Sequence, residues 1–435
     1  MKRLFGFILL VMLIVIPTVI LGVVEITFWH SMTNPVDRKC IEKIVEEFQK
    51  THPDIKVKIV VVPGSETDIT KLMTAVAGGT GPDVYYLDRF TVSQRAAYGL
   101  LEPLEDYLIQ LGYDVEALKK EFFDFAIKEC TWNGKIWALP WDTDARALYY
   151  NKKLFKEAGL DPNVPPRTLK ELEEYAAKLT KKVAGRYTQV GFIPWAFQGW
   201  HYTWGWVFGG DFYDEKNKKL VFADNPKVIR AFEWLGEWAK KYNVKELEAF
   251  MSSFGMSFSG ASIGGAEPIN PFLAGKLAMV VDGNWLLAQI KELAPKDFEF
   301  GIAPIPAPED GEKNSTWAGG WSLVIPKGAK YPKEAAKFIY YMATIGQVTY
   351  AIDTQHLPTL KRAVPELLRV SPPEQRIFAE LLPTAHVRPV IPVGALLWDE
   401  LTNAMHAVIY GEKKVVDALK EAQEKVQKEL DKWIK

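Results

Sequence analysis

Residues 23–90 alternate between short apolar runs and longer stretches that carry a helical apolar stripe. Hydrophobic residues at i, i+3, i+4 and i+7 indicate an amphipathic helix, whereas short β-branched runs indicate strands. The pattern predicts strands at 25–29, 56–62 and 83–87, with helices at 36–50 and 69–76 between them. This β-α-β-α-β order predicts a parallel sheet with right-handed crossovers.

The same alternation resumes after residue 140. Thr168 and Glu171 form a capping box that opens one helix, and Asn225 followed by Pro226 opens another. No short repeat or low-complexity linker separates these segments, so we expect two lobes that exchange chain more than once. The later strands are predicted at 147–150, 277–281 and 322–325, and the later helices at 168–181, from 225, from about 285 and from 415.

Length and composition narrow the class of protein. A chain of 435 residues exceeds one ordinary core, which also favours two lobes. The near balance of 53 Lys and Arg against 54 Asp and Glu argues against a nucleic-acid-binding protein. The chain has 15 Trp beside 17 Tyr and 23 Phe, and such an aromatic surplus often lines concave binding sites.

The amino terminus predicts export from the cytoplasm. Lys2 and Arg3 precede an uncharged apolar run at 5–24, which is typical of a secretory signal. The run is also long enough to span a bilayer, which takes about 20 apolar residues. Residues 1–22 are therefore predicted to be a signal peptide or a retained anchor, with the protein in the periplasm or on the extracellular face of the cytoplasmic membrane.

The two cysteines, Cys40 and Cys130, leave two alternatives open. Cys40 follows a charged triplet and not the apolar run, which argues against a lipoprotein anchor. In an oxidising compartment the two could form one disulfide, or they could be two separate buried thiols.

Several segments, in order along nearly the whole chain, resemble the family 1 extracellular solute-binding proteins of ABC sugar importers. They are similar to the maltose-binding and glycerol-phosphate-binding proteins, and the ordered set is much more specific than any single segment. The segments are 26–30 (ITFWH), 77–89 (AGGTGPDVYYLDR), 136–162 (IWALPWDTDARALYYNKKLFKEAGLDP), 272–287 (FLAGKLAMVVDGNWLL), 317–330 (WAGGWSLVIPKGAK) and 356–364 (HLPTLKRAV).

This resemblance implies an α/β fold of the type II periplasmic-binding-protein class, with two discontinuous lobes joined by hinge strands. Lobe 1 would hold residues 23–141 plus 306–343, and lobe 2 residues 142–302 plus 344–435. The hinge would lie at 139–142, at 303–305 and near Thr344. A ligand between the lobes would favour the closed state by contacting both.

Candidate binding residues are those suited to a sugar at the ends of predicted strands and in aromatic loops. The resemblance adds that Asp88-Arg89 matches a sugar-binding acid-Arg pair of maltose-type members, and that Trp285 and Trp398 stand where those members place aromatics against the ligand. Carboxylates, amides and arginines suit hydroxyl groups, and indole rings suit the C–H faces of the sugar. The candidates are Trp29, His30, Glu66, Asp88, Arg89, Asp142, Trp200, Trp204, Asp282, Trp285, Trp317, Gly320, Trp321 and Trp398, with Arg388 as a weaker candidate.

Structural roles remain open for some of these residues. Asp88 and Arg89 could form a surface ion pair, His30 could bond to the backbone, and Asp282 could only cap a helix. Asp144, beside the candidate Asp142, is expected to fix a turn at the hinge.

The expected function is that of a monomeric binding protein that delivers a carbohydrate to ABC importer permease subunits. A secreted glycosidase is one alternative, because it too would show carboxylates and Trp. A binding protein for a polyol or a sugar phosphate is another. The six His do not fall at zinc-site spacing, and no catalytic residue, metal or cofactor is expected.

Overall fold

The structure, a computed structural model, describes residues 22–32, 35–62, 69–263 and 268–434. The predicted signal or anchor at 1–22 lies, apart from Gly22, outside the described residues. Within the described ranges, no helix combines the length and the apolar character needed to cross a membrane.

Most strands are short and belong to one of two main sheets. They are β1 Val24–His30, β2 Ile55–Val61, β3 Val84–Asp88, β4 Leu101–Glu102, β5 Thr131–Trp132, β6 Lys135–Ile136, β7 Ala138–Pro140, β8 Asp142–Thr143, β9 Arg146–Asn151, β10 Lys181–Val183, β11 Arg186–Gln189, β12 Tyr213–Asp214, β13 Lys219–Leu220, β14 Met279–Gly283, β15 Phe300–Ala303, β16 Trp321–Pro326 and β17 Leu357–Pro358.

The helices surround these sheets. They are α1 Pro35–Thr51, α2 Thr70–Ala77, α3 Val92–Ala97, α4 Leu104–Gln110, α5 Val115–Glu121, α6 Asp124–Glu129, α7 Lys152–Glu157, α8 Leu169–Leu179, α9 His201–Val207, α10 Pro226–Tyr242, α11 Val244–Ser252, α12 Leu286–Leu293, α13 Pro332–Tyr341, α14 Gln347–Thr354, α15 Ala363–Val370, α16 Arg376–Leu381, α17 Gly394–Ile409 and α18 Val415–Leu430.

The first sheet has the strand order β2-β1-β3-β16-β4, and β7 also pairs with β16. Strand β1 runs parallel to β2 and to β3, which confirms the parallel β-α-β-α-β prediction. Strand β16 runs antiparallel to β3, although more than 200 residues lie between them in the chain. The chain therefore returns to the first sheet after building most of the second lobe.

The second sheet has the order β14-β9-β15, and both pairings are antiparallel. All six residues of β9 are buried, because α-helical layers and the hydrophobic core of the second lobe cover this strand. The predicted capping box at Thr168 and Glu171 is present at the start of α8. Asn225 caps α10 by accepting from two backbone N–H groups, as its position predicts.

Two lobe boundaries differ from those expected. Trp317 packs in the core of the second lobe, so the chain returns to the first lobe later than residue 306. Tyr350 and Leu360 pack in the first core, whereas Leu357 and Leu367 pack in the second. Residues 350–367 therefore lie at the junction of both cores, because their apolar positions are divided between them. Sequence periodicity alone does not reveal which core each position meets.

Both cysteines are free and buried. Of the two alternatives, the structure has separate thiols and not the disulfide. Burial, aided by the charge of Asp353, raises the pKa of the Cys40 thiol to about 12, so this thiol stays protonated.

A buried ion pair joins the first sheet to the chain crossings. Arg89, directly after β3, donates from Nε to Glu129 at 2.9 Å, and both side chains are 0% exposed. Its terminal nitrogens donate to the backbone carbonyls of Asp142 and Gly319. Gly320 has a φ of +121°, and an added Cβ would lie 2.5 Å from the Asp142 carbonyl oxygen. Arg89 therefore holds the loop before β16 against the segment at Asp142, where the chain first crosses between the lobes.

We expect Glu129→Ala to destabilise the protein by about 3–5 kcal/mol, because it leaves the buried Arg89 cation without its charge partner. Urea unfolding followed by circular dichroism measures the change. The matched control is Glu116→Ala, which removes an exposed pair with Lys119 and should cost less than about 1 kcal/mol. Equal effects of the two variants would contradict the assignment of Arg89 as a structural clamp.

Candidate functional site

A cavity of about 890 Å³ opens between the two lobes, and we call it the interlobe cavity. This volume lies in the range of roughly 300–1,000 Å³ that is typical of small-molecule sites. The first lobe contributes the residues that follow β1 and β3, and the second lobe contributes the start of β9 and several loops. The segment 142–144, where the chain first crosses between the lobes, also lines the cavity.

The structure brings eight of the predicted residues together in the interlobe cavity, and the weaker candidate Arg388 also lines it. A ninth, Asp282, lines a neighbouring cavity, and Glu66 lies outside the described residues. The eight are Asp88, Asp142, Trp200, Trp285, Trp317, Gly320, Trp321 and Trp398.

Four predicted residues do not line this cavity. The side chain of Arg89 does not face the cavity and instead pairs with Glu129, as described above. Trp204 is 0% exposed, and its indole N–H donates to the carbonyl of Pro194 at 2.7 Å. Trp29 is partly buried on β1, next to β2 and β3. His30 is buried, and its Nδ1 accepts from the backbone N–H of Met32 at 3.2 Å, which is the backbone role left open for it.

Five tryptophans form the aromatic part of the wall. Trp398 lies 5.4 Å from Trp200 and 6.3 Å from Trp317, measured between ring centroids. Trp321, from the first lobe, stacks on Tyr86 at 4.5 Å with an angle of 16° between the rings. Trp200, Trp285, Trp321 and Trp398 keep part of their surface exposed. Partly exposed rings held by other rings can receive the apolar face of a ligand.

Two ion pairs face the cavity. Arg388 donates to Asp88 at 3.0 Å, and its guanidinium lies 3.9 Å from the centroid of the Phe90 ring. Arg146 pairs with Asp144, and its guanidinium lies 3.4 Å from the centroid of the Trp317 ring. Burial raises the pKa of Asp88, and the charge of Arg388 opposes that rise. Each carboxylate is therefore fixed in place by a cation.

Asp142 is the centre of a third polar cluster in the cavity wall. Its Oδ1 accepts from the backbone N–H of Trp321 at 2.8 Å, and its Oδ2 lies 3.4 Å from Nδ1 of His356. The other ring nitrogen of His356 lies 3.6 Å from Asp37 at the start of α1. Burial would lower the pKa of His356, but the hydrogen bond and charge of Asp142 and the charge of Asp37 outweigh it and raise the pKa.

Sequence patterns did not indicate several residues of this cavity. Arg146 opens a fully buried strand, and a charged residue there is a signal that could have identified it, because buried charges need partners. Asp144 was expected to fix a turn, and the structure shows it in the wall, paired with Arg146. Gln198 and His356 stand in loops whose sequence gives no comparable signal.

In the part of the chain that the structure describes, no group of three or more His, Cys, Asp or Glu side chains could hold a metal ion.

Comparisons with known proteins agree with this architecture. The family model described as bacterial extracellular solute-binding protein matches residues 36–349. The maltotriose-binding protein of Pyrococcus abyssi is 24% identical over 415 residues, which cover 93% of this chain and 82% of that protein. The sn-glycerol-3-phosphate-binding periplasmic protein UgpB of Salmonella paratyphi A is 27% identical over 331 residues, 74% of this chain and 71% of that protein.

Among solved structures, CpMnBP1 with mannotriose bound has a TM-score of 0.79 and 30% sequence identity, covering 93% of this chain and 100% of that chain. Two α/β lobes, a first sheet with an inserted antiparallel strand and a cavity at the chain crossings define the type II periplasmic-binding-protein fold. The chain belongs to the bacterial extracellular solute-binding protein family.

We expect His356→Gln to remove a pH-dependent part of the stability. Because the folded pKa of His356 is raised, its contribution is fully present below its unfolded pKa and is lost as pH rises through the folded value. The free energy of unfolding of the parent minus that of the variant should therefore be largest below the unfolded pKa of about 6.5 and should fall as the pH rises from there through the raised folded pKa. Urea titrations at several pH values measure this difference, and a pH-independent difference would contradict it.

Proposed function

We propose that this protein is the extracytoplasmic binding component of an ABC importer and that it captures a sugar or oligosaccharide in the interlobe cavity. The observation that carries the proposal is one cavity that combines partly exposed indole rings with fixed carboxylate and guanidinium groups. The C–H faces of sugar rings can pack on the indole rings, and the hydroxyl groups at their edges can bond to the carboxylate and guanidinium groups. The relatives named for maltotriose and mannotriose support the same ligand class.

The paired charges favour a neutral ligand. Arg388 and Arg146 already pair with Asp88 and Asp144, so the two pairs offer a phosphate no net positive charge. A hydroxyl group can instead accept from a guanidinium and donate to a carboxylate without breaking either pair. This argument favours a neutral sugar over a sugar phosphate, although UgpB is named for a phosphorylated ligand.

Binding is favoured over glycoside hydrolysis by the state of the same carboxylates. Asp88, Asp142 and Asp144 each accept hydrogen bonds from protein donors, which suits fixed acceptors. A glycosidase needs two carboxyl groups that flank the scissile bond, and one of them must donate a proton to the leaving group. Incubation of the protein with oligosaccharides, followed by chromatography of the products, separates the two functions.

Ligand-driven closure would prepare the protein for the permease. Asp88 and Trp321 approach the cavity from the first lobe, whereas Trp200 and Trp398 approach it from the second. A ligand that contacts both sets stabilises the closed state by its extra contacts there. We propose that the protein acts as a monomer outside the cytoplasmic membrane, with residues 1–22 as signal peptide or anchor.

A thermal-shift screen of mono- and oligosaccharides should identify the ligand. At 100 times its dissociation constant, a ligand adds about 2.7 kcal/mol to the free energy of unfolding. Glycerol 3-phosphate and simple polyols belong in the same screen as the alternative ligand classes. A shift with these compounds and with no sugar would contradict the proposal.

We expect Trp398→Ala to weaken binding of the sugar found in that screen by about tenfold or more, because it removes ring contact worth about 1–2 kcal/mol. Asp88→Asn should also weaken binding, since the amide is a poorer acceptor for hydroxyl groups. Isothermal titration calorimetry measures both. Ile109→Ala, at a position on α4 of the first lobe that is 58% exposed and outside the cavity lining, is the control and should bind like the parent.

A further inference from the structure

The two lobes also touch outside the interlobe cavity, through a pair of surface rings. Tyr98 follows α3 of the first lobe, and Trp433 follows α18 of the second. Their ring centroids lie 5.0 Å apart with an angle of 22° between the rings, and we call this contact the interlobe stack. Tyr98 is 40% exposed and Trp433 is 36% exposed, so the stack joins two surfaces and does not fill either core.

The alignment of α17 and α18 brings Trp433 to this position. The two helices are joined by a short turn and run antiparallel. Lys425 of α18 pairs with Glu400 of α17 at 2.5 Å, which sets the residues that lie side by side. With this alignment, the residues that follow α18 lie beside 391–394, the segment that leads into α17. The backbone N–H of Trp433 donates to the carbonyl of Leu430, a core residue, at 2.9 Å and holds the ring at this end of the helix.

The interlobe stack is the outer end of a row of contacts that begins at the interlobe cavity. In the cavity wall, Arg388 of the second lobe pairs with Asp88 of the first, as described above. Next to this pair, Ser93 of α3 donates from Oγ to the carbonyl of Ile391 at 3.0 Å, and both residues are buried. The stack follows at the far end of α3. The row therefore joins the two lobes along one edge of the cavity.

The position of the rings makes the stack sensitive to the arrangement of the lobes. It forms in the arrangement of this structure, in which residues of both lobes wall one cavity. Rotation of the lobes about the hinge would separate the rings, because each belongs to a different lobe and lies at its surface. A contact that exists in only one of two arrangements shifts the equilibrium towards that arrangement.

A second interlobe contact outside the cavity has a weaker effect. Lys128 of α6 pairs with Glu215 of the second lobe, and both side chains are largely exposed. Exposed ion pairs contribute little and are screened by salt, whereas stacked rings bury apolar surface that salt does not screen.

We propose that Tyr98 and Trp433 are positioning residues that hold the two lobes in the ligand-binding arrangement without touching the ligand. The apparent dissociation constant of a ligand that bridges both lobes varies inversely with the populated fraction of the binding arrangement. Loss of the stack lowers this fraction and therefore weakens binding. This inference rests on the proposed function, since it assumes a ligand that contacts both walls of the interlobe cavity.

The first test measures affinity for the sugar found in the thermal-shift screen by isothermal titration calorimetry. Trp433→Ala and Tyr98→Ala should each bind about two- to tenfold more weakly than the parent, the fold-change that corresponds to one aromatic pair. The double variant should bind no more weakly than either single variant, because both substitutions remove the same contact. Tyr98→Phe keeps the ring and should bind like the parent.

Matched controls remove exposed apolar side chains away from the stack. Ile109→Ala on α4 and Val416→Ala at the opposite end of α18 should both bind like the parent. The second test is small-angle X-ray scattering of the ligand-free proteins, which needs no sugar. Trp433→Ala and Tyr98→Ala should show a larger radius of gyration than the parent and the two controls.

The two tests separate this inference from the proposed function. If the ring variants bind as tightly as the parent or more tightly, or if their effects add in the double variant, the inference is wrong and the proposed function stands. An unchanged radius of gyration would also overturn the inference. If no sugar binds to the parent, the proposed function itself is wrong, and the scattering alone decides whether the stack holds the lobes together.

Discussion

The geometry of the cavity depends on the buried guanidinium of Arg89. It bonds to Glu129, to the carbonyl of Asp142 and to the carbonyl of Gly319, which lie 40, 53 and 230 residues away in sequence. A buried guanidinium is stable only when its donors and its charge are satisfied, so these three segments must meet at one point. Two of them carry side chains or backbone into the interlobe cavity. The same contact therefore stabilises the first lobe and aligns the wall that faces the ligand.

The charged groups in the cavity are already paired within the protein. This pairing determines which kind of ligand the cavity can recognise. Asp88 with Arg388 and Asp144 with Arg146 join groups that have lost much of their hydration. Because each partner compensates the other, neither pair leaves an isolated charge in the cavity wall. A neutral ligand replaces water at the remaining donor and acceptor positions, and the rigid pairs lose little conformational freedom when it binds. Selectivity then depends on hydroxyl positions and ring faces more than on net charge.

The sequence predicted local features well, but it did not predict which way individual side chains point. Strands, helices and caps such as those at Thr168 and Asn225 depend on periodicity and on neighbours within a turn. Strand ends pointed to Asp88 and the family resemblance pointed to Trp398, and the structure places both residues in the wall of one cavity. Whether Arg89 faced the ligand or Glu129 depended on a partner 40 residues away, which no local pattern contains. For the same reason, His356 emerged only from the structure, whereas the charge of Arg146 at the start of a buried strand was a local signal that was not used.

The two unlinked thiols have a practical consequence. Cys40 and Cys130 are 4% and 0% exposed, and burial raises the pKa of both, so neither reacts readily at neutral pH. A single surface cysteine introduced on each lobe could then carry a fluorophore while the native pair stays unmodified. Energy transfer between two such dyes would report the distance between the lobes in real time, without first engineering a cysteine-free background.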